Sequence, residues 1–314
     1  MKESFRDFMW RALYHPEKGY YAARIGTVGR RGDFSTSATL SDDLATGIAR
    51  WLVAESKLNG VQTVIEIGSG DGSLLDSVMR KVGWWQRLWL RFLVVETSAP
   101  LRSQQQARLG KRCAGWLPTM EDALDSCDGR ALIFHNEVMD AFPVRLLEWQ
   151  DEWKEVHLDW QNGAARETLE DFPSPDSSPF SALQPPAKKG CRIEQMEDLH
   201  QWFITWLPHW KGGSMLGIDY GEEFPAIYHR RPRGTLRGYL MQQRVEGSEL
   251  YLNAGRQDLT ADVNFTDVRH WLRAAGVDEV STGTQSEFLH CHRVKFDPRF
   301  ADAYASFRYV WSRR

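Results

Sequence analysis

A short apolar run and the glycine-rich turn behind it are the clearest feature of the hydrophobic pattern. Residues 61–67, VQTVIEI, are rich in β-branched apolar side chains, a composition typical of a buried strand. The sequence GSGDG follows at 68–72, and from Ser73 the apolar residues return at helical spacing. The pattern predicts a strand, a tight turn and a helix, an order that directs free backbone N–H groups toward a small ligand.

The turn differs from a dinucleotide-binding fingerprint in the position of its third glycine. The spacing G-x-G-x-x-G would require glycine at position 73, where this chain has Ser73, and the third glycine comes one residue earlier, at Gly72. The acid Glu66 beside the turn suits a cationic ligand better than an anionic one. S-adenosylmethionine (SAM), which carries a sulfonium and an ammonium group, meets that requirement. An ordinary glycine-rich turn between a strand and a helix is the alternative from this stretch alone.

Two further strand ends carry candidate ligand-binding residues. Residues 92–95 predict a second strand that ends at Glu96, where a Rossmann-like fold holds a ribose diol. A solvated acid at the end of a strand is the competing interpretation. Residues 112–117 predict a third strand, and Met120 follows it at a place where an adenine can lie.

Polar residues also follow the predicted fourth strand, residues 131–134. Asn136, Glu137 and Asp140 come directly after it. An amide and two acids behind the carboxyl end of a strand are typical of a reaction site in an open α/β sheet. A helix cap with solvated acids is the alternative.

The pattern changes after Pro143. Alternating apolar and polar residues over 144–158 predict a hairpin, residues 161–192 are rich in proline, serine and charge and predict a mobile insertion or linker, and 196–210 predict a helix. A strand at 214–218 then resumes the earlier order. Because strands and helices otherwise alternate, a mostly parallel α/β sheet is the best architecture.

Composition narrows the possible partners and compartments. The chain has 314 residues, of which 42% are hydrophobic and 26% charged, with a net charge of −3. The chain has no overall basic charge of the kind that would indicate a nucleic-acid partner. No apolar run approaches the ~20 residues of a membrane span. The N-terminal sequence predicts neither a secretory signal nor a transit peptide. The four cysteines are scattered and form no C-x-x-C pair, which argues against a zinc site. The same pattern is typical of a protein from a reducing compartment. We therefore expect a cytoplasmic protein without a metal.

Taken together, the motifs resemble the MidA-like family of class I SAM-dependent methyltransferases, which includes the mitochondrial arginine methyltransferase of complex I assembly. The similar stretches run nearly end to end: ALYHPEKGYY (12–21), GDFSTS (32–37), EIGSGDGSL (66–74), VETSAPL (95–101), NEVMDAFPV (136–144), IDYG (218–221), TLRGY (235–239), GRQDLTADVNF (255–265) and QSEFL (285–289). The chain departs from the family pattern at Ala38, Met139 and Gln242 or Gln243, and these departures concern the acceptor pocket more than the SAM site.

The resemblance implies a seven-stranded Rossmann-like methyltransferase fold with an inserted hairpin and helical subdomain. We expect an N-terminal helix and active-site loop at 1–40, a SAM-dependent methyltransferase domain at 41–143 and 211–314, and an insertion at 144–210. The predicted cofactor is SAM, and the predicted acceptor is an arginine of a protein, with a respiratory-complex subunit as one candidate. The cofactor-binding residues expected from the resemblance and the strand ends are Gly32, Asp33, Thr36, Ser37, Glu66, Gly68, Ser69, Gly70, Glu96 and Met120.

The acids after the fourth strand fit a role in arginine methylation. A guanidinium is charged and a poor nucleophile, and carboxylates that bind it bidentately can direct one nitrogen toward the methyl group. We hypothesise that Glu137 and Asp140 do this while Asn136 orients the acceptor. A SAM-binding assembly factor without turnover is the alternative, and a nicotinamide-dependent oxidoreductase is disfavoured by the position of Gly72. An oligomer is possible on this sequence.

Overall fold

The computed structural model describes residues 2–23, 42–172, 180–183, 188–241 and 243–314. The strands are β1 (Lys2–Ser4), β2 (Thr63–Ile67), β3 (Arg91–Val95), β4 (Gly115–Leu117), β5 (Arg130–Asn136), β6 (Arg145–Trp149), β7 (Trp153–Gln161), β8 (Ala164–Asp171), β9 (Arg192–Gln195), β10 (Gly212–Glu222), β11 (Arg237–Leu240), β12 (Gln243–Val245), β13 (Asp258–Thr260), β14 (Val263–Asn264), β15 (Glu279–Thr284) and β16 (Phe307–Arg313). The helices are α1 (Phe5–Tyr14), α2 (Tyr20–Ala23), α3 (Asp43–Asn59), α4 (Ser73–Lys81), α5 (Trp84–Arg87), α6 (Ala99–Leu109), α7 (Met120–Asp125), α8 (Glu197–Trp206), α9 (Phe265–Ala274), α10 (Gln285–Cys291) and α11 (Ala301–Ala305).

The chain forms two compact units, each assembled from three segments. The first unit contains Met1–Ile25, Met139–Trp202 and Gly221–Trp271, and the second contains Gly26–Val138, Phe203–Tyr220 and Leu272–Arg314. This division differs from the expected domains, because residues 221–271 group with the insertion rather than with the methyltransferase sheet. In the described part of the chain, none of the helices combines the length and apolar composition needed to cross a membrane.

The second unit is built on the main path of an eight-stranded sheet, with the strand order β4-β3-β2-β5-β10-β16-β15, and the short strand β14 pairs with the end of β10 off this path. The strands from β4 to β10 are parallel, and β16 is antiparallel to both of its neighbours, β10 and β15. This arrangement confirms the predicted Rossmann-like fold. Val64, Ile65 and Ile67 of β2 are all buried, as expected for a central parallel strand covered on both faces.

Helices α3 and α4 supply much of the core beside this sheet. Leu44, Ile48 and Leu52 recur along one face of α3 and are buried with Leu75 and Val78 of α4 in a single hydrophobic cluster. The cluster also includes Phe307 and Tyr304, so that the last strand and the helix before it belong to the same core. Packing of this kind fixes the strands whose carboxyl ends carry the candidate site.

The first unit contains two antiparallel sheets. One has the order β1-β7-β6-β9, with β8 paired to β7, and the other has the order β12-β11-β13. The predicted hairpin at 144–158 is present as β6 and β7. The prediction of a mobile insertion or linker at 161–192 is wrong for residues 164–171, which form β8. Strand β9 begins at the last residue of that range, Arg192. Half of the β8 residues are exposed, so this strand lacks the buried alternating pattern that makes strands recognisable in a sequence.

Candidate functional site

The turn between β2 and α4 requires glycine for two separate reasons. Gly68, Gly70 and Gly72 all have positive φ angles, of 63°, 55° and 79°, which L-residues rarely adopt. A Cβ on Gly68 would also lie 2.8 Å from Cγ2 of Val138. The Gly68 N–H donates a 3.0 Å hydrogen bond to the carbonyl of Val95, which ties the turn to the end of β3. Glycine is therefore needed here both for the backbone conformation of the turn and for the close approach of Val138 at the carboxyl edge of the sheet.

Glu66 places a carboxyl group inside the protein directly before this turn. Its side chain is 2% exposed and accepts a hydrogen bond from the hydroxyl of Ser69. Burial raises the pKa of Glu66 to about 8, against the partial opposing effect of the Ser69 hydrogen bond, and the nearby acids Asp71 and Glu96 raise the pKa further. The Glu66 carboxyl is therefore mostly protonated at neutral pH, unless a cation bound beside it stabilises the carboxylate.

Glu96 is the first residue after the neighbouring strand β3, two positions beyond Val94, the register partner of Glu66. Its Oε1 accepts a 2.8 Å hydrogen bond from the Ser98 N–H, and its Oε2 accepts a 2.9 Å bond from Nε2 of Gln105. Burial raises the pKa of Glu96, while these donors lower it. The two predicted acids thus lie near the carboxyl ends of adjacent parallel strands, as required for a shared ligand site.

Gln105 is a site residue that the sequence analysis missed. Its Nε2 donates to the Gly70 carbonyl at 2.8 Å as well as to Glu96, and therefore joins the turn to the second acid. The side chain is fully buried. Leu101 and Leu109 lie four residues on either side of Gln105, and therefore on the same buried face of α6. A polar residue between two apolar residues on that face is the sequence feature that could have identified Gln105.

The other predicted cofactor residues fall into two groups. Met120 is buried at the first position of α7, behind β4, and the hydroxyl of Thr119 caps this helix by accepting the Asp122 N–H at 3.1 Å. The predicted loop residues Gly32, Asp33, Thr36 and Ser37 lie outside the described residues.

Asn136 and Glu137 lie together where β5 ends. Glu137 has a φ angle of 54°, which is uncommon for a residue other than glycine and is often found at functional sites. Its N–H donates to the Ile218 carbonyl of β10 at 2.9 Å, and Nδ2 of Asn136 donates to its Oε1 at 2.9 Å. The next N–H, of Val138, donates to the buried carboxylate of Asp219 at 3.1 Å. The segment therefore holds the Glu137 carboxylate at the carboxyl edge of the sheet.

Asp140 belongs to the first unit, whereas Asn136 and Glu137 belong to the second. Asp140 is 5% exposed, and its carbonyl accepts the Ala261 N–H at 3.0 Å. Burial raises its pKa to about 6, Arg237 lowers it and Asp262 raises it. The structure therefore groups Asp140 with residues that are distant in sequence, and its role beside Glu137 stays a prediction.

A second buried acid, Asp258, lies in the same unit and has Asp140 among its electrostatic neighbours. Burial raises the pKa of Asp258 to about 7, and the charge of Asp140 adds to the increase. The Tyr21 hydroxyl donates to Oδ1 of Asp258 at 2.9 Å. The matching sequence stretches around 12–21 and 255–265 thus meet in space within this unit.

The sequence agrees with one family model over residues 47–281, well over half of the chain. That family is described as "Putative S-adenosyl-L-methionine-dependent methyltransferase". The chain belongs to this family. The membership confirms the family resemblance expected from the glycine turn and the flanking acids.

Curated relatives carry a more specific name. A "protein arginine methyltransferase NDUFAF7 homolog, mitochondrial" from Drosophila melanogaster is 27% identical over 86% of this chain and 66% of its own length. The human mitochondrial protein arginine methyltransferase NDUFAF7 is 25% identical over 84% of this chain and 64% of its own length. This chain thus spans about two thirds of the length of these relatives.

Solved structures support the fold. A candidate methyl transferase from Burkholderia thailandensis, bound to S-adenosyl-homocysteine, aligns with a TM-score of 0.84 at 24% identity and covers 100% of this chain and 88% of its own. A second crystal structure from the same organism aligns with a TM-score of 0.77 at 23% identity and covers 100% of this chain and 87% of its own. At this level of identity the likeness establishes the fold.

The relatives also correct one expectation. We expected a cytoplasmic protein from the scattered cysteines and the N-terminal sequence, and this assignment is wrong because the curated relatives are named mitochondrial. Cysteine spacing reports a reducing environment, which does not distinguish one reducing compartment from another.

Proposed function

We propose that this chain transfers a methyl group from SAM to an arginine side chain of a protein. The observation that carries the proposal is the pair of buried carboxyls, Glu66 and Glu96, near the carboxyl ends of adjacent parallel strands. Ser69 of the glycine turn donates to Glu66, and Gln105 joins Glu96 to the Gly70 carbonyl of the same turn. The residues fit the cofactor: the turn is free of Cβ atoms at Gly68 and Gly70, a carboxylate at Glu96 suits a ribose diol, and the acids attract positive charge. Bound SAM would supply an electrophilic methyl group on a sulfonium.

The acceptor assignment rests on the names of the relatives and on the residues after β5. Several relatives are named protein arginine methyltransferases. The Glu137 carboxylate, oriented by Asn136 and by its unusual backbone, is suited to accept two hydrogen bonds from a guanidinium. It would direct the remaining nitrogen toward the methyl group and stabilise the positive charge until a proton leaves the methylated product. The expected role of Asp140 stays a prediction.

Glu137→Gln tests the acceptor assignment. The purified wild type and variant are each incubated with isotope-labelled SAM and a lysate of cells that lack the gene, and labelled methylarginine is sought by mass spectrometry. The wild type should label at least one protein, and the variant should lose roughly a hundredfold of this activity, within the range of a lost transition-state contact. Glu279→Gln, which changes a half-exposed glutamate at the start of β15, is the matched control and should remain active.

Calorimetry with S-adenosyl-homocysteine separates cofactor binding from turnover. Both glutamine variants should bind it as the wild type does, because neither residue belongs to the cofactor group. If Glu137→Gln methylates fully while binding the ligand normally, the assignment of Glu137 is wrong. If the wild type binds the ligand but labels no arginine, the non-turnover assembly factor becomes the better description. A respiratory-complex acceptor, the lack of a nucleic-acid partner and an oligomeric state stay predictions.

A further inference from the structure

Six residues of the second unit, Trp84–Trp89, expose four large apolar side chains. The exposed fractions are 61% for Trp84, 56% for Trp85, 68% for Leu88 and 57% for Trp89. The rings of Trp84 and Trp85 stack on each other with their centroids 4.1 Å apart. They therefore contact each other although neither is buried in a hydrophobic core. We call these four residues the tryptophan patch. A contiguous apolar group of this kind on a protein surface marks an interaction site.

Basic residues flank the tryptophan patch on both sides in the sequence. From Ser77 to Val95 the chain contains four basic residues and no acid, although its net charge is −3. Arg80 and Lys81 are each paired with an acid, Asp76 and Asp42. Exposed Arg87 has no ion-pair partner anywhere in the described ranges, and exposed Arg91 donates a long 3.4 Å hydrogen bond to a backbone carbonyl. The charge of these last two residues is available to an anionic partner.

The tryptophan patch lies at the opposite edge of the parallel sheet from the candidate cofactor site. Helix α5 leads into β3, whose first residue, Arg91, pairs in register with Thr63, the first residue of β2. The glycine turn follows the other end of β2, after Ile67. A partner seated on the tryptophan patch therefore leaves the carboxyl ends of β2 and β3 accessible.

We propose that the tryptophan patch, with Arg87 and Arg91, docks this unit on the surface of an anionic phospholipid bilayer. Indole rings prefer the interface between lipid headgroups and acyl chains, because they have an apolar body and one N–H donor. Segments that bind in the plane of a membrane combine Trp and Leu with Arg and Lys in this way. A neutral apolar groove on a protein would satisfy the rings, but it would leave Arg87 and Arg91 without an anionic partner. Docking would hold the enzyme beside membrane-associated acceptors.

Vesicle flotation tests the proposal with the full chain. Vesicles of phosphatidylcholine alone and of phosphatidylcholine with phosphatidylglycerol are mixed with the wild type, with Trp84→Ser/Trp85→Ser/Trp89→Ser and with Arg87→Gln/Arg91→Gln. The wild type should float with the anionic vesicles only. The arginine variant should lose at least about tenfold in partitioning, since each cation near an anionic surface contributes on the order of fivefold. The tryptophan variant should lose binding, and Leu252→Ser, which changes an apolar residue that is 70% exposed in the first unit, should behave as the wild type.

Three results would overturn the proposal. The first is a wild type that does not float with anionic vesicles, or that floats equally with neutral ones. The second is a tryptophan variant that floats as well as the wild type, with both proteins shown to be folded by their binding of S-adenosyl-homocysteine. The third is a concentration-dependent dimer in gel filtration that the tryptophan substitutions abolish, because the tryptophan patch would then be an interface between two copies of the chain.

Discussion

Replacing Glu66 with glutamine should stabilise the protein at alkaline pH while harming the cofactor site. The carboxyl has a pKa of about 8 in the folded protein against an ordinary value of 4.5, mainly because of burial. Below pH 4.5 the carboxyl is protonated in both the folded and unfolded chains. Between 4.5 and 8 the unfolded chain loses the proton and the folded chain keeps it, so stability falls as pH rises. At about 1.36 kcal/mol per pH unit, the total loss approaches about 5 kcal/mol.

Urea denaturation of the wild type and Glu66→Gln at a series of pH values measures this loss. The glutamine cannot ionise, yet it still offers an oxygen to the Ser69 hydroxyl. The free energy of unfolding of the variant minus that of the wild type should therefore increase by up to about 5 kcal/mol from acidic pH to pH 8 or above. Asp140 and Asp258 titrate in both proteins, so their contributions cancel in the comparison.

Two observations bear on the outcome of that experiment. Glu279→Gln, which changes a half-exposed residue, should follow the pH profile of the wild type. Parallel profiles for the wild type and Glu66→Gln would refute the reasoning, because they would mean that the Glu66 carboxyl ionises in the folded protein as readily as in the unfolded one.

Three further predictions concern the same edge of the sheet. Gly60→Ala should lower the free energy of unfolding by roughly 1 kcal/mol, and Gly68→Ala should lower it by at least about twice as much. Both glycines have positive φ, but only a Cβ on Gly68 would meet a nearby atom, Val138 Cγ2. Thermal melts that are unchanged by Gly68→Ala would contradict this. Glu96→Gln should weaken S-adenosyl-homocysteine binding by at least about tenfold in calorimetry, through loss of the charge that accepts a diol. SAM binding at neutral pH should release a proton as Glu66 ionises beside the cationic ligand, and titrations in two buffers of different ionisation enthalpy should differ accordingly.

The sequence predicts the second unit well because its signals are local. The β-branched run at 61–67 and the glycines behind it correspond to β2 and the turn, and the acids Glu66 and Glu96 lie at the expected strand ends. Each of these features depends on residues that are adjacent in the chain. Periodicity and turn chemistry are therefore sufficient to find them.

The parts that escaped prediction depend on contacts between distant segments. The partner of Tyr21, Asp258, lies 237 residues away, and the neighbours of Asp140 come from β11 and from the segment before β14. No local pattern contains such pairings. Strand β8 escaped for a different reason, since it lies at a sheet edge and half of its residues are exposed. An edge strand is stabilised by its partner β7 rather than by its own apolar residues.

The position of β16 has a consequence for how the protein is made. This strand contains residues 307–313, yet it lies between β10 and β15 in the sheet. Until it emerges from the ribosome, both of these strands expose an unpaired edge of the kind that promotes aggregation. At about 5–20 residues per second, the interval between synthesis of β10 and of β16 lasts several seconds. Nascent chains of this protein should therefore depend on chaperones during the interval in which β10 has been synthesised and β16 has not.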